Sequence, residues 1–291
     1  MVNRREPRRS LALVIGSSGL PGWVTNKETK LTFFAAGRNG TFVNTGAVPA
    51  PGEKDFIRGE AGVPQAYYDP AIRVTSQIMS KVFHRTLFLS GPAGRLEAQL
   101  WTVPDTAPKM AALLCHPHPL FGGTMHNKVV FQAAKTLQDL GLPVLRFNFR
   151  GAGLSQGRHD KGHGEAEDVR AALDFLAGEC PSIPLLLGGF SFGAWVGLRV
   201  GCEDARVSRL MGLGIPADKS DLAYLAGCGK PLLIVQGAQD EFGSREAVES
   251  VTRKVPGPHR EVFVENAGHF FTGKLSSVDA AIREWMKESG I

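Results

Sequence analysis

Short apolar stretches alternate with amphipathic stretches along the chain from Val82 to its end. The apolar stretches predict buried strands, because they are continuous and of strand length. These strands are Met110–Cys115, Pro143–Phe149, Pro184–Gly189, Arg209–Ile215, Pro231–Gln236 and Glu261–Glu265. The amphipathic stretches predict helices at Asn127–Leu140, Glu165–Ala177, Phe192–Val200, Ser220–Ala226, Arg245–Lys254 and Ser277–Glu288. This alternation predicts an α/β fold, in which helices cover both faces of a mostly parallel sheet.

Two earlier segments, Arg85–Ser90 and Arg95–Val103, have a different pattern in which apolar and polar residues alternate. Strict alternation is typical of strands with one buried face, so these segments predict an antiparallel pair. In mainly parallel sheets, functional residues gather at the carboxyl ends of the strands. We therefore expect the chemical residues of this chain in the loops that follow its strands.

Residues 1–78 differ from the rest of the chain. They are interrupted by Gly and Pro, contain no Cys or His, and show no sustained helical period. They predict a poorly ordered N-terminal extension before a domain at 79–291. The arginine-rich first nine residues and the apolar run after them resemble a targeting peptide, but that run is too short for one. An alternative hypothesis is that translation begins at Met79.

The net charge of +5 lies mostly in this extension. Residues 1–78 hold ten Lys and Arg against six Asp and Glu, whereas residues 79–291 hold 23 against 22. The nearly neutral domain predicts no nucleic-acid partner. A hydrophobic content of 43% is enough for a buried core, but no apolar run approaches the roughly 18–20 residues that span a bilayer. We therefore expect a soluble protein with no membrane partner.

The four cysteines, Cys115, Cys180, Cys202 and Cys228, are widely separated and include no C-x-x-C pair. Disulfide frameworks and zinc ribbons have tighter, patterned spacing. The spacing therefore predicts buried, reduced thiols, which fits a cytoplasmic location.

The pattern G-x-S-x-G occurs twice, around Ser155 and around Ser191. It marks an exposed nucleophile only where a strand turns sharply into a helix. Ser191 lies between an apolar strand and a segment of helical character, whereas Ser155 is followed by a polar, glycine-rich loop. We therefore predict that Ser191 is a nucleophile and that Ser155 is structural.

A serine nucleophile needs a histidine base that is oriented by a carboxylate. In a fold of this kind the chain order is Ser, acid, His, with each residue in a loop after a strand. Asp240 and His269 satisfy this order and are the predicted acid and base. Glu241 and His259 are the nearest substitutes, but His259 precedes its strand and so belongs at the wrong end of the sheet.

The developing oxyanion needs two hydrogen-bond donors. One should be the backbone N–H of Phe192, directly after the nucleophile. The other should come from the loop His116–Gly123, in which Pro117 and Pro119 have no N–H. His118 is therefore the predicted second donor, with Leu120 as the alternative.

Two competing interpretations concern a metal and a dinucleotide. His116, His118 and His126 could hold a metal, but a single H-x-H is a weak signal. The segment Gly212–Ala217 matches a dinucleotide fingerprint, but it contains a proline and lies late in the chain. We predict neither a metal nor a cofactor.

The motifs described above resemble those of the α/β-hydrolases over roughly 82–285. More narrowly, the loop His116–Gly123 and the segment Asn148–Gly157 resemble those of small bacterial-type members. The resemblance implies an eight-stranded core, the roles given above to the serine, the aspartate and the histidine, and a structural loop around Ser155. Only one short helix is predicted in Pro216–Lys230, where many relatives insert a lid domain, so we expect an open pocket.

These inferences predict a serine hydrolase that cleaves a small-molecule ester or thioester through an acyl-enzyme. A prolyl-type peptidase uses the same triad, but its amine-binding acids and its cap are not recognisable in this sequence. A non-catalytic binding protein on the same fold is the alternative from another class. The oligomeric state and the natural substrate are not predictable from the sequence.

Overall fold

The computed structural model describes residues 32–36, 42–47, 83–103 and 107–290. The chain divides into two units, Met1–Ser76 and Gln77–Ile291. In the first unit, strands β1 (Thr32–Ala36) and β2 (Phe42–Ala47) form an antiparallel pair. This pair was not predicted from the sequence, although Asn39-Gly40, a dipeptide typical of hairpin turns, lies between the strands in sequence. The rest of the prediction for 1–78 lies outside the described residues.

An eight-stranded sheet forms the centre of the second unit. Its strands are β3 (Phe83–Gly91), β4 (Gly94–Thr102), β5 (Ala111–Cys115), β6 (Val144–Phe147), β7 (Leu185–Phe190), β8 (Val207–Leu213), β9 (Leu232–Gly237) and β10 (His259–Val264). Their spatial order is β10-β9-β8-β7-β5-β6-β4-β3. The first two strands pair antiparallel, β4 also pairs antiparallel with β6, and the other neighbours are parallel. The predicted fold class and the predicted antiparallel pair are confirmed.

Helices cover both faces of the sheet. They are α1 (Lys128–Asp139), α2 (His163–Glu179), α3 (Phe192–Glu203), α4 (Arg245–Thr252) and α5 (Leu275–Glu288). Two buried clusters separate these helices from the sheet, one on each face, and successive residues of β5 alternate between them. Leu113 packs in the cluster with α2 and α3, whereas Leu114 packs in the cluster with α1 and α5. This alternation is why the central strands are apolar at every position.

The segment between β8 and β9 holds no lid domain. The helix predicted at Ser220–Ala226 is a single 3₁₀ turn at Ala223–Gly227. Trp195 Nε1 donates to the carbonyl of Asp221 (2.9 Å), and Tyr224 Oη donates to the carbonyl of Trp195 (2.8 Å). These bonds hold the segment against α3, so it packs on that helix and does not form a lid. Among the described residues, no helix is both long enough and apolar enough to span a membrane.

The cysteine prediction is wrong for one pair. Cys202, near the end of α3, forms a disulfide with Cys228, and their Cα atoms lie 5.3 Å apart. The two are 26 residues apart in sequence, so only the packing of the 3₁₀ segment on α3 brings them together. Cys115 and Cys180 are free and buried, as predicted. The disulfide removes one ground for the cytoplasmic prediction.

Candidate active site

Ser191 lies on the sharp turn between β7 and α3. Its φ of 55° is in the left-handed region, which is strained for a residue with a side chain. The turn requires a glycine on each side. A Cβ on Gly189 would lie 2.6 Å from the backbone nitrogen of Ala194, and a Cβ on Gly193 would lie 2.6 Å from the carbonyl carbon of Cys115. The glycines of the motif therefore allow the helix to begin directly against β5 and β7.

The structure brings the three predicted residues together. His269 Nε2 lies 2.8 Å from Ser191 Oγ, and its Nδ1 lies 2.8 and 3.0 Å from the two carboxylate oxygens of Asp240. Asp240 follows β9 and His269 follows β10, so the loops at the carboxyl ends of three strands converge. The acid and the histidine are buried, and the serine is half-buried. Nδ1 can donate to the carboxylate, which leaves Nε2 able to accept the serine proton.

Gln236 was not predicted to belong to the site. Its side chain holds the carboxylate of Asp240 in position. It is the fully buried penultimate residue of β9, and its Nε2 donates to Asp240 Oδ2 over 2.8 Å. The same amide donates to the carbonyl of Gly243 (2.9 Å) and accepts from the N–H of Ile215 (2.8 Å). The backbone N–H groups of Phe242 and Gly243 donate to the other carboxylate oxygen. The signal available in the sequence was a polar residue near the end of an otherwise apolar strand, which indicates a buried hydrogen-bond partner.

The two predicted oxyanion donors lie on adjacent segments. Neither the N–H of Phe192 nor the N–H of His118 donates to an acceptor among the described residues. The alternative donor, Leu120, gives its N–H to His118 Nδ1 (3.3 Å). The ring of His118 packs on the ring of Phe192, with centroids 4.8 Å apart. Partial burial lowers the pKa of His118, and the nearby His159 lowers that pKa further.

Large apolar side chains are exposed around these residues. Phe242 and Phe270 contact the His269 ring, with centroid distances of 4.6 and 5.2 Å. Leu120 and Phe121 are exposed on the loop that carries His118. Exposed apolar side chains therefore lie on the loops that carry His118, Asp240 and His269.

The family follows from comparison with known proteins. Residues 109–288 match a family model described as an alpha/beta hydrolase domain, which spans well over half of the chain. The chain belongs to the alpha/beta hydrolase family. An uncharacterized protein of Rickettsia prowazekii is 36% identical over 210 residues, which are 69% of this chain and 87% of that protein.

Two solved structures extend this relationship. An alpha-beta serine hydrolase homologue from Coxiella burnetii is 38% identical, with a TM-score of 0.65, and the match covers 69% of this chain and 96% of that chain. A serine hydrolase without a lid from Xanthomonas campestris is 35% identical, with a TM-score of 0.66, covering 70% and 94%. The alpha/beta hydrolase fold is therefore shared over nearly the full length of both relatives.

In this hydrolase, His116 supports the loop that carries His118. Its Nε2 accepts from the N–H of Phe149 (2.9 Å), so the ring proton is on Nδ1, which donates to the carbonyl of Pro117 (2.6 Å). Burial lowers the pKa of His116 to about 4. Both ring nitrogens are thus engaged within the protein. Within 83–103 and 107–290, no group of three His, Cys, Asp or Glu side chains has metal-binding geometry.

Ser155, the serine of the second motif, lies in a turn. Its Oγ donates to the carbonyl of Asn148 (2.7 Å) and accepts from the N–H of Glu97 (2.9 Å). Of the substitutes for the acid and the base, Glu241 accepts from the backbone N–H of His269 at 3.5 Å. His259 begins β10, at the opposite end of the sheet from the serine–histidine pair. Among the described residues, none of these three side chains forms a hydrogen bond with the Ser191 hydroxyl or the His269 ring.

Proposed function

We propose that this hydrolase cleaves a carboxylic ester or thioester through an acyl-enzyme on Ser191. One observation carries the proposal: a strained, half-buried serine lies 2.8 Å from a histidine whose other nitrogen lies 2.8 Å from a buried carboxylate. This is the constellation that converts a weak hydroxyl into a nucleophile.

In the proposed mechanism, Ser191 Oγ attacks the carbonyl carbon while its proton passes to His269 Nε2. The buried Asp240 stabilises the imidazolium that results. The N–H groups of Phe192 and His118 would stabilise the oxyanion. The imidazolium then protonates the departing alkoxide or thiolate. A water molecule, deprotonated by the same imidazole, hydrolyses the acyl-enzyme, and the serine recovers its proton.

The surroundings support a small-molecule substrate with an apolar portion. No lid covers the site among the described residues, and exposed apolar side chains flank it. We also place the chain in the subgroup of the family with the loop His116–Gly123, on the basis of that sequence alone. A domain at 79–291, the absence of a nucleic-acid partner and a cytoplasmic location remain predictions.

Labelling with a fluorophosphonate probe tests the proposal. The wild type should be labelled, Ser191→Ala should not, and Ser155→Ala should be labelled like the wild type. The Ser155 variant is the matched control, because it has the same motif without a base beside it. Labelling that persists in Ser191→Ala would place the nucleophile elsewhere. No labelling of the folded wild type would favour a non-catalytic binding protein.

A further inference from the structure

A cavity of about 560 Å³ lies beside the catalytic residues. One wall is the segment from Gly122 to α1, which follows the loop that carries His118, and the other is the segment that follows His269. Phe270 belongs to the second wall, and its ring lies 5.2 Å from the ring of His269. The cavity and the serine–histidine pair therefore share Phe270 as a common neighbour.

The cavity is lined by polar as well as apolar residues. His126 and Lys128 are the ionisable residues of this lining, and Thr124 and Thr272 add hydroxyl groups. Among the residues that the structure describes, no carboxylate lines the cavity. Neither Lys128 nor His126 forms an ion pair with a described residue.

Lys128 is exposed to solvent and lies in the concave wall of the cavity. Concave, low-dielectric walls focus the field of a charge and raise the local concentration of ions of opposite sign. Asp240 and Glu241 cannot neutralise the charge of Lys128 directly, since neither of them lines the cavity. Val129 and Phe271, both buried, form apolar parts of the lining. The site is thus suited to a short apolar chain that ends in an anion.

We propose that this cavity binds an anionic group on the acyl part of the substrate, so that monoesters or thioesters of short dicarboxylic acids are preferred over neutral esters of equal length. This inference rests on the proposed function, because it assigns the substrate class of the same site. Lys128 is the residue that contributes most of the preference.

Two esters of equal length test the proposal. The mono-p-nitrophenyl ester of adipic acid differs from p-nitrophenyl hexanoate only by its terminal carboxylate. The variant is Lys128→Glu. Its new carboxylate is at the first position of α1, where the helix dipole stabilises a negative charge, so the helix should be retained. The matched control is Lys254→Glu, an exposed residue before β10, at the opposite end of the sheet.

Lys128→Glu should lower kcat/KM for the adipate ester about three- to tenfold, because an exposed charge pair is worth up to roughly 1 kcal/mol and the reversal adds repulsion. It should leave kcat/KM for the hexanoate ester within about twofold, and Lys254→Glu should alter the preference much less. The effect should shrink in high salt. Equal losses for both esters, or no loss for either, would overturn the inference while leaving the proposed function intact.

Failure of the wild type to cleave either ester would instead refute the proposed function. Adipate would then be titrated into the protein and followed by NMR. Shifts confined to the segment 122–129 that disappear in Lys128→Glu would support the cavity as an anion site. Their absence would overturn that site as well.

Discussion

Replacing Gln236 by leucine removes a donor to Asp240 while it keeps a buried side chain of similar volume. The change deletes the 2.8 Å bond to Asp240 Oδ2 and the bond that Gln236 accepts from the N–H of Ile215. A hydrogen bond to a charged group contributes about 1.5–3 kcal/mol. If Asp240 loses that much of its orienting energy, kcat/KM for a simple ester should fall about 10- to 150-fold. The unpaired N–H of Ile215 should destabilise the fold by about 1–3 kcal/mol.

The assay measures p-nitrophenyl ester hydrolysis and urea denaturation on the same samples. Gln138→Leu is the control, since Gln138 is also buried but lies at the end of α1, and its side chain bonds to His84 and to no other described residue. It should lose stability with little loss of activity. Gln236→Glu keeps the shape but places a carboxyl against Asp240, and its activity should fall at least as far. A folded Gln236→Leu protein with wild-type activity would refute the positioning role.

Three further predictions concern the frame of the site. Gly193→Ala places a methyl group 2.6 Å from the carbonyl carbon of Cys115, so activity should fall by ~100-fold or more, and wild-type ester hydrolysis would contradict the packing. His116 is buried and has a pKa of about 4. As the pH falls from about 6.5 to 4, the unfolded state takes up a proton at this residue and the folded state does not. The free energy of unfolding of the wild type should therefore fall by up to ~3 kcal/mol over this range. His116→Gln should lose less stability over that range in urea denaturation, and an unchanged slope would count against this pKa. Cys202→Ser should lower the free energy of unfolding by ~3 kcal/mol, whereas Cys180→Ser should lower it less. A thiol titration of the unfolded wild type should find two free thiols, and a count of four would exclude the disulfide.

The sequence was sufficient to predict the sheet, because its central strands are buried on both faces and are therefore continuous apolar runs. It also placed Ser191, Asp240 and His269 together, since each follows a strand of one parallel sheet and the carboxyl ends of parallel strands meet. The contact between Gln236 and Asp240 was not predictable in the same way. It depends on the rotamer of one amide inside a tight loop, which neither pattern nor spacing encodes.

Pairing between distant segments was the other limit. Cys202 and Cys228 meet because a 3₁₀ turn packs on α3, and the sequence of that turn was interpreted as an ordinary helix. The strand β6 ends at Phe147, two residues earlier than predicted, because the N–H of Asn148 bonds to the carbonyl of Glu97 and the N–H of Phe149 bonds to His116. In each case long-range contacts override the local pattern.

Mass spectrometry of the acyl-enzyme would show directly whether Ser191 carries the acyl group during turnover. The protein would be mixed with p-nitrophenyl butyrate, quenched in acid during turnover, digested and mapped. We expect a butyryl group on the peptide that contains Ser191, absent in Ser191→Ala and unchanged in Ser155→Ala. Turnover with no acyl adduct, or an adduct on another residue, would contradict this expectation.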